Sequence, residues 1–333
     1  MIICFFKKIK KLNILLLLTY IIMPLNVFAY SNRIIASGKN IGINLHSKGI
    51  LIVGTYEVNS NYPALAAGLK SGDTITSIDN IEVNSIDDLA ERINESNNNE
   101  IDVKYLRGGK SKTTKLKLYR DENNIYKTGL FVKDSMVGIG TLTFIDPNTK
   151  MFGALGHEMQ EQTIRQIFDM KDGKIYDSIV TGLVPSENGN PGEKKAVYNF
   201  DDEIGVVSKN TMSGVFGEYT ADIDGSKTYE VALPEEVVDG EAQILTVLDG
   251  KEIKKYSINI TRINSMTDKT QNFMFEITDS ELLNKAGGII QGMSGSPIIR
   301  DDKILGAVTH VVINDTTKGY GIFITNMLEE AEK

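Results

Sequence analysis

Few of the side chains that usually do chemistry are present in this chain. It has three histidines, His46, His157 and His310, and a single cysteine, Cys4. One cysteine excludes an intrachain disulfide and a thiolate cluster, and scattered histidines with no His-Glu-x-x-His pattern argue against zinc; no metal and no cofactor are expected. The stretch that invites a chemical reading is Gly292-Met293-Ser294-Gly295-Ser296-Pro297, set between two runs of β-branched residues. Gly292 and Gly295 free the backbone on either side of Ser294, Pro297 returns the chain to extended structure, and Ile298–Val308 reads as strand, polar turn, strand. A hydroxyl is thereby presented on a tight turn leading into a hairpin. Serine attacks a carbonyl only when a base takes its proton, and near neutral pH that base is first of all histidine. His157 ends Met151–His157 (MFGALGH), where a strand breaks at Gly156 and meets a loop. His310 lies inside an alternating strand, where a structural role is expected, and His46 belongs to the N-terminal part. Alone, a Gly-Ser stretch is most often a plain turn and a histidine at a strand end most often structural. Only together do they suggest a nucleophile and its base.

Two units must position these residues. In the first, about residues 38–120, Tyr62–Asn80 (YPALAAGLKSGDTITSIDN) describes a short helix ended at Gly68, a turn at Ser71-Gly72-Asp73 and a strand through Ile75 and Ile78. Ser85 and Asp88 form a capping-box pattern ahead of a helix whose Ile86, Leu89 and Ile93 fall on one face. Ile101, Val103 and Tyr105 alternate as in a half-buried strand, as do Leu116 and Leu118. This order and the A-G-L-K-x-G-D-x-I phrase resemble a PDZ domain, an α+β fold. That resemblance implies that Ile41-Gly42-Ile43 supplies the backbone N–H groups that hold a peptide carboxylate, with the peptide added to a sheet edge. The polar run Arg120–Gly129 marks the boundary. Beyond it short strands and turns dominate through residues 127–333, with helical pattern only at Ser280–Lys285 and Asn326–Lys333, so the second unit is expected to be all-β.

The formal charge is −8, and removing residues 1–29 would take away Lys7, Lys8, Lys10 and Lys11 and no acids. So acidic a body has no electrostatic footprint for nucleic acid. The basic cluster at Lys7–Lys11 precedes an apolar run to Ala29, no charge falls between Lys11 and Arg33, and Val27-Phe28-Ala29 offers a processing site. A signal peptide or a membrane anchor is expected over residues 1–29, and either places the remainder outside the cytoplasm.

The serine turn with its hairpin resembles the G-x-S-G-[GS]-P signature of trypsin-like serine proteases. The fuller similarity is to the SpoIVB peptidase family, the stage IV sporulation proteins B. It is carried by "GALGH", "NPGEK" (Asn190–Lys194), "GVFG" (Gly214–Gly217), "GGIIQGMSGSPII" and "GAVTHVVINDTTKGYGIF". The resemblance implies a mainly β chain, an N-terminal PDZ domain followed by a trypsin-like double β-barrel protease. It implies Ser294 as nucleophile, His157 as base and the amides of Gly292 and Ser294 as oxyanion hole. It carries the acidic triad member to Asp279, fifteen residues before the serine, which is shorter than the usual trypsin-like separation; Asp146, Asp201 and Asp202 are the alternatives. Met293 stands where trypsin-like zymogens carry an aspartate, so activation by a new N-terminus is not expected. The implied biology is self-cleavage and cleavage of a membrane-bound regulator of an intramembrane protease, between the forespore membranes, leading to late sigma-factor activation. An HtrA-like quality-control protease and a catalytically inactive PDZ scaffold are the competing readings; the first places its protease before the PDZ unit, and the second would lack a base or a nucleophile.

Overall fold

A computed structural model describes residues 30–96, 98–223, 225, 227–264 and 270–333. The expected signal or anchor at 1–29 lies outside the described residues. Among those described, no helix is long and apolar enough to cross a membrane. The chain opens with β1 (Arg33–Ala36) and a long β2 (Asn40–Thr55), then α1 (Pro63–Ala66), β3 (Thr74–Ile78), β4 (Ile81–Glu82), α2 (Ile86–Glu95), β5 (Glu100–Arg107) and β6 (Lys110–Lys117). Short β7 (Tyr119–Arg120) and β8 (Tyr126–Lys127) lead to β9 (Leu130–Ile145), β10 (Met151–Ala154), β11 (Gln160–Glu161), β12 (Gln166–Ile167), β13 (Met170–Val184), β14 (Glu193–Thr211) and β15 (Gly214–Tyr219). The C-terminal part holds β16 (Thr228–Val231), β17 (Gly240–Val247), β18 (Ile253–Ile263), β19 (Phe273–Ile277), α3 (Ser280–Ala286), β20 (Pro297–Arg300), β21 (Lys303–Val311), β22 (Lys318–Phe323) and α4 (Ile324–Glu332). The protein is mainly β, as the pattern of alternation predicts, with an N-terminal unit where the resemblance places a PDZ domain and a larger β unit after it where the resemblance places the protease domain.

The PDZ unit has its own core of Ile50, Ile52, Ala64, Leu69, Ile75, Leu89, Ile93, Ile101, Val103, Tyr105 and Leu116. Its helix α2 starts where the capping box predicts: the Ser85 hydroxyl accepts the Asp88 N–H at 3.0 Å and the Asp88 carboxylate accepts the Ser85 N–H at 3.1 Å. Leu89 and Ile93 are buried, whereas Ile86 at the first turn stays partly exposed. Asp73 of the G-D turn is buried and takes two 2.6 Å bonds from the Arg107 guanidinium, which ties the turn to the end of β5. The protease domain has two further cores. One gathers Ile41, Ile43, Leu45, Leu142, Phe152 and Ile175; the other gathers Ile244, Tyr256, Ile258, Phe273, Phe275 and Phe323. Between them Phe144, Phe216, Ile299 and Ile322 form a layer that Met327 and Leu328 of α4 cover.

The structure corrects the reading of Ile41-Gly42-Ile43. These residues are not a carboxylate loop but the first stretch of β2, a strand paired there on both sides. Ile41, Gly42 and Ile43 face Gly140, Ile139 and Gly138 of β9, and Asp177, Tyr176 and Ile175 of β13. Ile41 and Ile43 are fully buried, and a Cβ on Gly42 would lie 2.4 Å from the Tyr198 ring. With every main-chain group committed to a ladder, the segment has nothing to offer a carboxylate. The physical cause is the period-two run Ile41, Ile43, Leu45, which buries one face of the strand in the protease core. The rest of the PDZ unit lies between β2 and β9 in the chain, and the far ends of both strands, at Ile50 and Ile52 and at Leu130 and Val132, enter its core.

Candidate active site

Ser294 sits on the turn between α3 and β20, and the backbone there explains both glycines. Gly292 and Gly295 have φ of +92° and +89°, a region side chains rarely adopt. A Cβ on Gly295 would also stand 2.1 Å from the Thr141 carbonyl oxygen. β9 grips the turn: Thr141 N–H donates to the Ser294 carbonyl at 3.0 Å, and the hydroxyls of Thr141 and Thr143 donate to the carbonyls of Gly292 and Gly295, each at 2.7 Å. The Ser294 hydroxyl is half-buried and donates to the Thr309 carbonyl at 2.9 Å. Among the described residues no acceptor takes the N–H of Gly292 or Ser294. Ser296 is wholly buried against Thr141, which removes it as a competing nucleophile.

His157 reaches the same cleft by a different device. After β10 the chain passes through Leu155 and Gly156, both at positive φ (69° and 71°), which turns it sharply. The ring Nδ1 lies 2.8 Å from the Glu158 carbonyl. A carbonyl only accepts, so Nδ1 carries the hydrogen and Nε2 keeps its lone pair. Burial pushes the His157 pKa below the ordinary imidazole value, with the Glu158 carbonyl and carboxylate opposing. The imidazole is thus neutral at neutral pH and fit to accept a proton. Ser294, His157, Gly292 and His310 line one cleft of about 640 Å³, walled also by Val137, Ile139 and the Leu155–Thr163 segment.

Two expectations about histidine and aspartate partners change. His310 is not merely a strand residue: its ring centroid lies 5.1 Å from that of His157, at the mouth of the cleft. Its place next to Thr309, whose carbonyl receives the Ser294 hydroxyl, is the signal that spacing along one strand carried. Asp279, expected to orient His157, is instead the N-cap of α3: one carboxylate oxygen accepts the Leu282 N–H at 3.1 Å and the other the Ser257 N–H at 3.3 Å. None of the alternatives bonds the His157 ring either. Asp146 is buried and spends its carboxylate on Ser31, Asn148 and Thr149, and Asp201 and Asp202 are exposed on β14. The group that holds the His157 ring is the Glu158 main chain. His46 is exposed on β2 and bonds Asp172 at 2.7 Å, away from the cleft.

Sequence reasoning passed over Lys194. Its side chain is 5% exposed, its stem packs beneath Gly292, and its Nζ donates to the Thr246 hydroxyl at 2.9 Å and to the Asn40 side-chain oxygen at 3.4 Å. Among the described residues it has no carboxylate partner, and burial drives its pKa down to about 7. The available signal was its position at the end of the "NPGEK" phrase. Among the described residues no group of acidic, histidine or cysteine side chains could hold a metal ion.

The family profile described as SpoIVB peptidase S55 matches residues 124–328, and a PDZ domain profile matches residues 40–118. Two curated relatives, both named serine protease Do-like HtrA, come from Lactococcus lactis subsp. lactis and subsp. cremoris. They are 39% and 38% identical over 71 residues, covering 21% of this chain and 17% of each relative. The chain thus spans about a sixth of the length of those relatives. A solved PDZ domain of the SdrC-like protein from Listeria monocytogenes is 23% identical, covering 26% of this chain and 87% of its own, with a TM-score of 0.23. With its family profile matched over more than half its length, the chain belongs to the SpoIVB peptidase S55 family.

Proposed function

We propose that the protein is an extracytoplasmic serine endopeptidase that cleaves extended segments of protein substrates with Ser294 as nucleophile and His157 as base. The observation that carries this reading is the meeting, in one cleft, of a serine on a glycine-framed turn and a histidine whose Nδ1–H is tied to the Glu158 carbonyl. In the resting geometry the hydroxyl points at Thr309; attack requires that it turn from there toward Nε2 of His157 as the substrate carbonyl enters. The attack places negative charge on the former carbonyl oxygen, where the free N–H groups of Gly292 and Ser294 are the donors at hand. The proton passes from His157 to the leaving amine, and water repeats the cycle on the acyl-enzyme. The membership supports a role in endospore formation, with self-cleavage and cleavage of a membrane-bound regulator of an intramembrane protease as the reactions. The basic cluster and uncharged run at residues 7–29 support delivery across a membrane.

The test is labelling with a fluorophosphonate and mapping of the adduct. Ser294 should carry it, and Ser294→Ala and His157→Ala should lose both labelling and proteolysis while keeping the fold. The acid limb of the rate profile should fall below the ordinary imidazole pKa, since the base is desolvated. An adduct elsewhere, or full turnover in Ser294→Ala, would refute the reading.

A further inference from the structure

A peptidase must hold its substrate extended, and one length of backbone in this protein is left free to do so. β9 pairs with β2 from Leu130 to Thr141 along one edge. β1 continues that edge at Phe144 and Ile145, and along the other edge β10 pairs only with Leu142, Phe144 and Ile145. Thr141 shows which groups look out on that second edge: its N–H donates to Ser294, and its carbonyl accepts from Leu155 at 3.3 Å. In an antiparallel strand a residue's N–H and C=O point the same way and the direction alternates. Ile139, Val137 and Ser135 therefore present theirs on the same side as Thr141, and no described residue pairs with them. Leu142, one step out of phase, bonds toward Lys39 near the start of β2, as the alternation requires.

Both ends of this edge are occupied by something relevant. At one end is Ser294, bonded to Thr141. Toward the other, Leu130 and Val132 enter the PDZ core, and the Asp134 carboxylate accepts the Ile86 N–H at 2.8 Å, at the start of α2. Between them Val137, 56% exposed, and Ile139 line the cleft that holds Ser294 and His157. Since Ile41–Ile43 has both edges filled, the free strand edge beside the PDZ unit is that of β9.

We propose that the free edge of β9 is a rail on which a substrate adds as a further strand, one extended polypeptide segment running from α2 to Ser294. The proposal rests on the peptidase reading above and names how its substrate is held. At about 3.3 Å per residue, Ser135 to Thr141 spans roughly 20 Å, and the full course to α2 at Asp134 about eight substrate residues. Recognition is then mainly through main-chain hydrogen bonds, tolerant of sequence, with alternate substrate side chains meeting Val137 and Ile139. The occupant is an unfolded or extended segment, since a folded surface has no spare strand to offer.

The experiment reads binding, so that it does not depend on catalysis. Ser294→Ala protein is titrated by fluorescence anisotropy with a fluorescein-labelled twelve-residue peptide from unfolded casein, with four-residue pieces of it, and with copies N-methylated at single positions. The twelve-residue peptide should bind at least tenfold tighter than any four-residue piece, and N-methylation should weaken binding at every second position. Val137→Pro removes one outward N–H while leaving the β2 ladder intact, and should erase the length advantage. Equal affinity at both lengths, or N-methyl losses without alternation, overturns the rail; the N-methyl series decides the matter alone if Val137→Pro fails to fold. Cleavage of casein by the unmutated protein is measured beside it. Alternating losses without cleavage would remove the peptidase reading and keep the rail, and cleavage without alternation would do the reverse.

Discussion

Replacing Lys194 by Met should change the dependence of stability on pH in a way that isolates its buried amine. In the unfolded chain the lysine titrates near 10.5; in the folded protein burial lowers this to about 7. Between these values the unfolded state binds the extra proton, so stability rises with pH; below about 7 both states are charged and the full penalty is felt. Each pH unit is worth about 1.4 kcal/mol, so the whole window amounts to about 5 kcal/mol and the interval from pH 7 to 9 to about 3 kcal/mol. Met fills the same space beside Gly292 without a charge. It loses the bonds to Thr246 and Asn40, about 1 kcal/mol each, but those losses do not vary over this range and drop out of the slope. Urea unfolding at pH 6, 7, 8 and 9, with Ser294→Ala in both proteins to prevent self-digestion, gives the two curves. The advantage of the Met variant should be greatest at pH 6–7 and shrink by about 3 kcal/mol by pH 9. Parallel curves would show that Lys194 keeps an ordinary pKa and that water or an unseen partner reaches it.

Other substitutions separate positions that sequence similarity treats alike. Asp279→Ala should cost about 1 kcal/mol as a lost helix cap and leave turnover within a few fold, while Asp279→Asn, which also caps, should be nearly silent in thermal melts and kinetics. A fall of about 10⁴ in turnover for Asp279→Asn, the loss known for neutralising a triad aspartate, would restore it to the triad. Gly42→Ala should destabilise by about 1–3 kcal/mol in a urea titration because its methyl group meets the Tyr198 ring. Unchanged stability with lost peptide binding would return Gly42 to a recognition loop.

Local rules made much of this legible. The capping box at Ser85 and Asp88, the alternation of Ile101, Val103 and Tyr105, and the glycines around Ser294 are each decided within a few residues, and each stands as read. His157 was legible too, because Gly156 breaks the strand ahead of it. What local patterns could not settle is who pairs with whom across the chain. Ile41-Gly42-Ile43 has the composition of a recognition loop, and only its ladders to β9 and β13, about a hundred residues or more downstream, make it interior strand. Asp279 has the residue type and chain order of a triad member, but the Ser280–Ala286 helix claims its oxygens first. Lys194 could not be told from a surface lysine until Gly292 and Thr246 were placed over it.

The insertion of the PDZ unit between β2 and β9 also bears on how the molecule reaches its native state. His46 and Ser135 face one another across the ladder yet lie about ninety residues apart in the chain, and closing so long a loop from an open coil is slow and entropically costly. The intervening segment has its own core and mostly local contacts, so it can order early and hold its two ends together. Closure is then a matter of a few residues on either side, an entropic saving of about 2–3 kcal/mol by the logarithmic loop law. The domain that flanks the cleft in the finished protein is, during folding, the clasp that brings the first strand of the protease to its partner.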